Sequence, residues 1–105
     1  MNGVTEPAVR ELIDAINAGD RARFLAVLTP DATMSDDGTD RDLQAWIDRE
    51  IFTADGRMEV ESATDGGLSL IARFRNNTWG EMRTRWHFTL TPDHTTIARL
   101  ETGQA

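Results

Sequence analysis

The segment from Leu68 to Leu90, which reads LSLIARFRNNTWGEMRTRWHFTL, alternates apolar and charged residues with almost no errors. Side chains along a β-strand point alternately to opposite faces, so this pattern predicts two half-buried antiparallel strands. The apolar face consists of Leu70, Ala72, Phe74, Thr84, Trp86, Phe88 and Leu90. The opposite face consists of Arg73, Arg75, Arg83, Arg85 and His87. The fold therefore has to bury one face of a hairpin and leave a row of arginines on the other.

The connection between these two strands is short, and the alternation slips there by one residue. Asn76-Asn77 is predicted to form the turn, because asparagine tolerates the positive φ angles that tight hairpin turns require. If Trp79 faces inward together with Phe74, then Met82 can face inward only when one residue is extra. Gly80 is therefore the predicted position of a β-bulge.

Length and composition predict one soluble domain. The chain has 105 residues, which is enough for a single hydrophobic core but not for two. No apolar run approaches the roughly 20 residues of a membrane span, and residues 1–5 lack the features of a signal peptide. We therefore expect a cytoplasmic protein. Cysteine is absent and there are only two histidines, so we expect no disulfide and no metal site.

The charge balance narrows the possible partners. The formal net charge of −7 argues against general binding to nucleic acid or to anionic membranes, because those affinities depend on basic residues. All eleven basic residues are arginines. Arginine pairs with carboxylates and stacks on rings better than lysine does, so rows of arginine suit interfaces and charge ladders. A biased genomic base composition would produce the same preference without any function, and both explanations stay open.

Two amphipathic helices are predicted at the start of the chain. The first begins at Thr5-Glu6-Pro7, where a hydroxyl cap and an acid precede a proline. It ends at Gly19, because glycine can adopt the left-handed conformation that closes a helix. Asp20 caps the second helix, which ends at Thr29-Pro30.

A strand, a turn and a third helix are predicted next. Ala32 to Ser35 has the composition of a short strand, and Asp36-Asp37-Gly38 that of a turn. Thr39 or Asp40 caps the third helix. The inner face of this helix consists of Leu43, Trp46, Ile47, Glu50 and Ile51.

The remaining segments are predicted as strands that flank the central hairpin. Met58, Val60 and Ser62 face inward on one of them, and Asp65-Gly66-Gly67 turns the chain into the hairpin. The last strand runs from Thr95 to Glu101, with Ala98 and Leu100 inward and Ile97, Arg99 and Glu101 outward. Helices followed by a meander of strands predict an α+β fold, with helices packed on one side of an antiparallel sheet.

The outer face of this sheet is rich in charge, and three interpretations are open. It carries Glu59, Glu61, Arg73, Arg75, Arg83, Arg85, Arg99 and Glu101. One interpretation is a solvated face whose opposite charges pair across strands at roughly 0.2 to 1 kcal/mol per pair, and another is nucleic-acid binding. We favour a homodimer interface, because Ile71, Ile97 and His87 interrupt the charges with apolar or aromatic area. The arginines of that interface are Arg73, Arg75, Arg83, Arg85 and Arg99.

Several local strings resemble a known family. Residues 13–20 read IDAINAGD, a short helix follows, and Pro30-Asp31-Ala32-Thr33 enters the first strand. Later, Trp86-His87-Phe88 precedes a turn and a final strand. Over nearly its whole length the chain resembles the nuclear transport factor 2-like (NTF2-like) superfamily, in its SnoaL-like and ketosteroid isomerase-like branch. The resemblance implies a cone-shaped, half-open barrel with an internal pocket, and a dimer through the outer sheet face.

The catalytic residues of ketosteroid isomerases are only partly matched. Those enzymes use an aspartate base together with a tyrosine and a protonated aspartic acid that stabilise the enolate. The resemblance places the base at Asp36, whereas the tyrosine position falls near Leu12 and the acid position on Trp86. The chain contains no tyrosine. Because loss of one such donor typically costs roughly 10² to 10³ in rate, steroid isomerisation is not expected.

The candidate site residues belong to the expected pocket. Asp36 is the candidate general base, and the alternative is that Asp36 and Asp37 only form a turn. The candidate ligand-binding residues are Met34, Trp46, Phe74, Trp86 and Phe88, and the alternative for the tryptophans is a purely structural role in the core. The functions that stay open are binding of an apolar or polycyclic ligand, a cofactor-free isomerase, cyclase or dehydratase, and a dimerising interaction module. We expect no cofactor.

Overall fold

The computed structural model describes residues 3–105 and confirms the predicted α+β class. The helices are α1 (Pro7–Ala18), α2 (Arg21–Ala26) and α3 (Leu43–Ile47), and a π-helical turn at Asp48–Phe52 continues α3. The strands are β1 (Leu28–Asp36), β2 (Thr39–Arg41), β3 (Arg57–Thr64), β4 (Ser69–Asn76), β5 (Gly80–Leu90) and β6 (Ile97–Gln104). None of the helices within residues 3–105 is both long and apolar enough to cross a lipid bilayer.

The six strands form one open sheet in the order β2-β1-β6-β5-β4-β3. Neighbouring strands run antiparallel except β1 and β6, which run parallel, so the expectation of a wholly antiparallel sheet is wrong at this pair. The physical reason is that the meander from β3 to β6 leaves one edge of β6 unpaired, and β1 supplies the missing backbone partners. Helix α1 packs on β3, whereas α2 and α3 pack on β1. A curved sheet that partly surrounds its helices is the half-open cone that the sequence predicted.

Helix α1 follows from its apolar spacing and its two ends. Its buried stripe includes Val9, Leu12 and Ile16, all of which are fully buried in the core. Gly19 closes the helix with a φ of 65°, as predicted. The predicted hydroxyl cap is wrong, because Glu6 rather than Thr5 occupies the cap position and makes no side-chain capping bond.

The segment after α1 departs from prediction at two helix ends. Asp20 caps α2 as expected, but the helix ends at Ala26 and β1 already begins at Leu28. Thr39 and Asp40 do not cap α3, because they belong to the short edge strand β2. The cap is Asp42, whose carboxylate accepts a hydrogen bond from the Ala45 backbone N–H at 3.0 Å. Propensity alone misses β2, which depends on pairing with β1.

The predicted turn at Asp36-Asp37-Gly38 is confirmed, and it joins β1 to the unpredicted strand β2 as a hairpin. Asp36 pairs with Thr39, and Asp37 and Gly38 have φ angles of 49° and 81°. Positive φ at both central residues is the geometry of a tight two-residue hairpin, which Asp-Gly favours.

The β4–β5 hairpin is present, but its connection differs from prediction. Asn76 pairs with Gly80, and Phe74 pairs with Met82, without any register shift along the two strands. The extra residue therefore lies in a three-residue loop, and no bulge forms inside the strand. Trp79 lies in that loop with 63% of its surface exposed, so the prediction that it faces inward is wrong.

Bulges occur instead in β3 and β6, where sequence alternation gave no sign of them. In β3 the register shifts between Val60 and Ser62, so Ser62 is exposed rather than inward. In β6 the neighbouring residues Thr89 and Leu90 of β5 pair with Arg99 and Ile97, so one residue of β6 between these two is extra. Ile97 is consequently 0% exposed, and its predicted outward position is wrong.

Candidate functional site

A cleft of about 340 Å³ lies between α3 and the inner face of the sheet. It is bounded by the end of β1, the π-helical turn, the β4–β5 loop and the end of β6. Its lining consists of Asp36, Asp37, Trp46, Glu50, Phe74, Trp79, Met82, Thr84, Trp86, Thr102, Gly103 and Gln104. The structure thus brings together four of the six residues that sequence analysis selected, namely Asp36, Trp46, Phe74 and Trp86.

Trp86 is the centre of the aromatic wall of this cleft. Its ring packs edge-to-face on Trp46 at a centroid distance of 6.3 Å, and it contacts Phe74 at 6.2 Å. Phe88 stacks on Trp86 at 6.2 Å with an interplanar angle of 17°. These rings hold one another in place, because offset and edge-to-face arrangements are the favoured geometries of aromatic pairs.

Met34 and Phe88 do not line the cleft. Both side chains are almost completely buried, with 0% and 1% of their surface exposed. Phe88 supports Trp86 from within the core, and Met34 lies on β1 between β2 and β6. Met34 and Phe88 therefore support the cleft by packing in the core and do not form part of its surface.

All three indole N–H groups of the chain are satisfied by neighbouring side chains. Trp46 donates to a carboxylate oxygen of Asp36 at 3.1 Å. Trp86 donates to the Thr84 hydroxyl at 2.9 Å, and Trp79 donates to Glu50 at 2.8 Å. Each indole is consequently fixed in one orientation around the cleft.

Asp36 and Asp37 differ in what their side chains do. Asp36 is half-buried at the end of β1, and its carboxylate receives the Trp46 N–H rather than a turn N–H. Asp37 is exposed, accepts a hydrogen bond from the Gln104 backbone N–H at 3.0 Å, and lies 3.9 Å from Arg85. Asp37 therefore ties the β1–β2 turn to β6, whereas the Asp36 carboxylate faces the cleft.

Glu50 and Asn76 are site residues that sequence analysis did not select. Asn76 is 3% exposed, and its amide donates to the Glu50 backbone carbonyl at 2.9 Å. The Asn76 carbonyl oxygen accepts the backbone N–H groups of Thr78 and Trp79 at 3.1 and 2.8 Å. One buried amide thus fixes both the π-helical turn and the hairpin loop, which places Glu50 and Trp79 beside each other.

Glu50 is the second carboxylate that points to the cleft together with Asp36. Its side chain is 13% exposed, and Arg49 forms an ion pair with it at 3.0 Å. Position 50 follows the apolar helical spacing of α3, which is why the sequence placed it on the edge of a buried stripe. Among residues 3–105, no group of three or more histidine, aspartate or glutamate side chains is arranged to hold a metal ion.

Comparison with solved structures identifies the fold. An NTF2-like protein of unknown function from Cytophaga hutchinsonii superimposes with a TM-score of 0.75 at 17% identity, covering 93% of this chain and 87% of that one. The chain has the NTF2-like fold. The same fold is found in a candidate polyketide cyclase of Sinorhizobium meliloti, with a TM-score of 0.73, 21% identity and coverages of 97% and 99%.

A SnoaL-like protein of unknown function from Burkholderia thailandensis is similar to the same degree. Its TM-score is 0.73 at 18% identity, and the alignment covers 100% of this chain and 97% of that chain. The resemblance inferred from the sequence is confirmed at the level of the fold. No protein-family model matches the sequence, and no curated protein matches it.

The outer face of this NTF2-like sheet is a lattice of exposed ion pairs. Arg73 lies 2.7 Å from Glu59, and Arg83 lies 3.2 Å from Glu61. Arg99 lies 2.8 Å from Asp40. The predicted pairing between neighbouring strands is therefore present for Arg73, whereas Arg83 and Arg99 each reach a carboxylate across an intervening strand.

The same face also has a groove of about 310 Å³ over β3, β4 and β5. Ile71 lies in it, and the hydroxyl of Ser69 is 2.8 Å from Nδ1 of His87 at its edge. Ile71 and His87 thus interrupt the charged lattice, as the sequence indicated, whereas Ile97 does not, because it is in the core.

Proposed function

We propose that this protein binds a small apolar ligand with fused rings in the cleft between α3 and the inner face of the sheet. The observation that carries the proposal is a cleft of about 340 Å³ that is walled by Trp46, Phe74 and Trp86. Ligand sites are concave, mostly apolar and roughly 300 to 1,000 Å³, with a few polar groups that orient the ligand. Flat rings of a ligand would extend the aromatic packing that already holds these side chains.

A thermal-shift screen against fused-ring compounds tests this proposal. A compound that binds only the native state raises the melting temperature, by an amount that grows with its concentration relative to Kd. Trp86→Leu should abolish the shift, because it removes the central ring of the cleft wall. Phe52→Leu is the matched control, because it removes a ring that packs on Phe24 at 5.5 Å outside the cleft. A shift that survives Trp86→Leu, or a screen in which no fused-ring compound binds, contradicts the proposal.

A cofactor-free isomerase, cyclase or dehydratase that uses Asp36 as general base is the second candidate. It is favoured by the position of the Asp36 carboxylate in the cleft wall, and by the fold shared with a candidate polyketide cyclase. A general base must lie within hydrogen-bond reach of the proton that it removes. Asp36→Asn should keep the fold, because an amide oxygen can still accept the Trp46 N–H, and should abolish turnover of a substrate found by screening. Unchanged turnover would rule out this role.

We further propose that the protein forms a homodimer through the outer face of the sheet. Support comes from the groove around Ile71, which provides apolar area within a polar rim that includes Arg85 and His87. Light scattering coupled to gel filtration should give twice the mass of the 105-residue chain. Ile71→Arg should give the mass of one chain, and a monomer of the unsubstituted protein at high concentration would disprove the interface.

A further inference from the structure

We infer that the ligand of the cleft is an organic cation, a protonated or quaternary amine attached to an apolar or aromatic body. This inference rests on the proposed ligand-binding function and specifies the chemical class of the ligand. Three properties of the cleft carry it: its aromatic surfaces, its lack of free hydrogen-bond donors and its negative charge.

Hydrogen-bond donors on the lining side chains are nearly all used within the protein. The three indole N–H groups are bound to Asp36, Thr84 and Glu50. The Thr84 hydroxyl donates to the Ala72 carbonyl at 3.2 Å, and the Thr102 hydroxyl donates to the Arg85 carbonyl at 3.0 Å. Within residues 3–105, the Gln104 amide is the one lining side chain whose donors stay free for a ligand.

Hydrogen-bond acceptors, by contrast, are available in the cleft. The lining includes the carboxylates of Asp36 and Glu50, together with the acidic residue Asp37, and no basic residue. Glu50 is paired with Arg49, and Asp37 lies near Arg85. Asp36 forms no ion pair with any residue that the structure describes, and one of its two oxygens accepts no hydrogen bond there. The cleft therefore offers a half-buried negative charge that no cation of the protein balances.

The aromatic wall provides the complementary contact for a cation. Trp46, Phe74 and Trp86 line the same cleft as Asp36 with 3 to 5% of their surface exposed, and Trp79, which is 63% exposed, lines it as well. The face of an aromatic ring carries partial negative charge, and tryptophan attracts ammonium groups more strongly than phenylalanine or tyrosine does. An ammonium group against these rings would gain attraction from both the rings and the carboxylate.

An anionic ligand would meet the opposite conditions in this cleft. A carboxylate or an enolate needs hydrogen-bond donors or positive charge around its oxygen. Within residues 3–105, the lining of the cleft has three acidic residues and one side-chain amide that is free to donate. Repulsion and the lack of donors would therefore disfavour an anion, while a neutral hydrocarbon would gain only from burial of its apolar surface.

The test compares two ligands that have the same shape and different charge. Benzyltrimethylammonium and neopentylbenzene differ by the replacement of one nitrogen cation with carbon. All three tryptophans of the chain line the cleft, so intrinsic tryptophan fluorescence reports binding of both compounds. We expect the cation to bind about tenfold more tightly, and its affinity to fall as salt is added. Phenylacetate, the anionic probe, should bind more weakly than both.

Matched variants test whether the preference for the cation over the neutral probe arises in the cleft. Asp36→Asn should reduce the affinity for benzyltrimethylammonium about tenfold and so remove most of its preference over neopentylbenzene, because the variant loses the negative charge while shape and the Trp46 hydrogen bond are retained. Asp31→Asn removes the same charge from an exposed position outside the cleft and should change neither affinity. Glu50→Gln is a second variant, which retains an acceptor for Trp79.

The possible outcomes separate the two proposals. Equal affinity for the two isosteric probes, or a cation preference that persists in Asp36→Asn and Glu50→Gln, overturns the cation inference and leaves a neutral ligand as the proposed function. If neither these probes nor the fused-ring compounds bind, both the inference and the proposed function are wrong.

Discussion

The two faces of the β4–β5 hairpin use the same backbone and stabilise the protein in different ways. On the inner face, Phe74 and Trp86 are each 3% exposed and pack against other rings. On the outer face, Arg73 and Glu59 form an ion pair whose side chains are 51% and 71% exposed. Apolar burial contributes about 25 cal/mol per Å², whereas exposed ion pairs contribute little because water screens them. The inner face of the hairpin therefore contributes most of its stability, and the ion pairs of the outer face contribute little.

Trp86→Ala is the strongest test of this contrast. Removal of a buried tryptophan that contacts Trp46, Phe74 and Phe88 leaves a large cavity, and we expect a loss of about 3 to 5 kcal/mol in the free energy of unfolding. Urea unfolding followed by circular dichroism measures it. A loss below about 1 kcal/mol would mean that the inner face is not the source of stability.

Asn76→Ala should have an intermediate effect, because it removes a buried polar connection on the inner side. The Glu50 carbonyl and the N–H groups of Thr78 and Trp79 would lose their partner, at a cost of about 1 to 3 kcal/mol. Asn77→Ala is the control, because Asn77 is exposed and only its backbone N–H is bonded, to Ala54. Equal unfolding free energies for the two variants would contradict the role assigned to the Asn76 amide.

The Arg73–Glu59 pair should contribute far less to stability. A double-mutant cycle with Arg73→Ala and Glu59→Ala should give a coupling energy below about 1 kcal/mol that decreases with added salt. Coupling well above that value would show that the outer face is shielded from water, for example by a second copy of the chain.

The β5–β6 turn lies outside both faces and should show the smallest effect on stability. The Thr91 hydroxyl donates a hydrogen bond to Asp93 and is the main cause of the lowered pKa of that carboxyl. The Thr95 hydroxyl also donates to Asp93 and is the second cause. A lowered pKa in the folded state means that the stabilisation is present above the unfolded pKa and is lost as the pH falls through the folded value. Thr91→Val should raise the pKa of Asp93 in an NMR titration and leave the unfolding midpoint nearly unchanged. An unchanged pKa would contradict the role of the hydroxyl.

Sequence reasoning succeeded where a single repeat, such as the two-residue alternation of a strand, determines which side chains are buried. The alternation along β4 and β5 correctly separated Phe74 and Trp86 from Arg73 and Arg85, because only one register buries the rings. It failed at the bulges of β3 and β6, since a bulge depends on how two strands pair and leaves no residue pattern. Trp79 was placed inward as the partner of Phe74 across an Asn76-Asn77 turn, but the longer loop pairs Phe74 with Met82 instead.

The residues of the candidate site were predicted only in part. Trp46 and Trp86 were selected because the helical stripe and the strand alternation pointed to the inside of the fold, whereas Asp36 was selected through the resemblance to ketosteroid isomerases. Glu50 and Asn76 were not, because their roles depend on a hydrogen bond between segments that are 26 positions apart. Long-range contacts of this kind become visible only when the chain has folded.

The parallel pair of β1 and β6 has a consequence for the order in which the molecule is assembled. Thr33 and Arg99 lie in adjacent strands although 66 positions separate them, so their contact requires closure of a long loop. Both strands of this pair line the cleft, because Asp36 belongs to β1 and Thr102 belongs to β6. During synthesis the helices and the first strand leave the ribosome well before β6. The cleft therefore cannot form before β6 has paired with β1, and only a chain with this strand in place has the site.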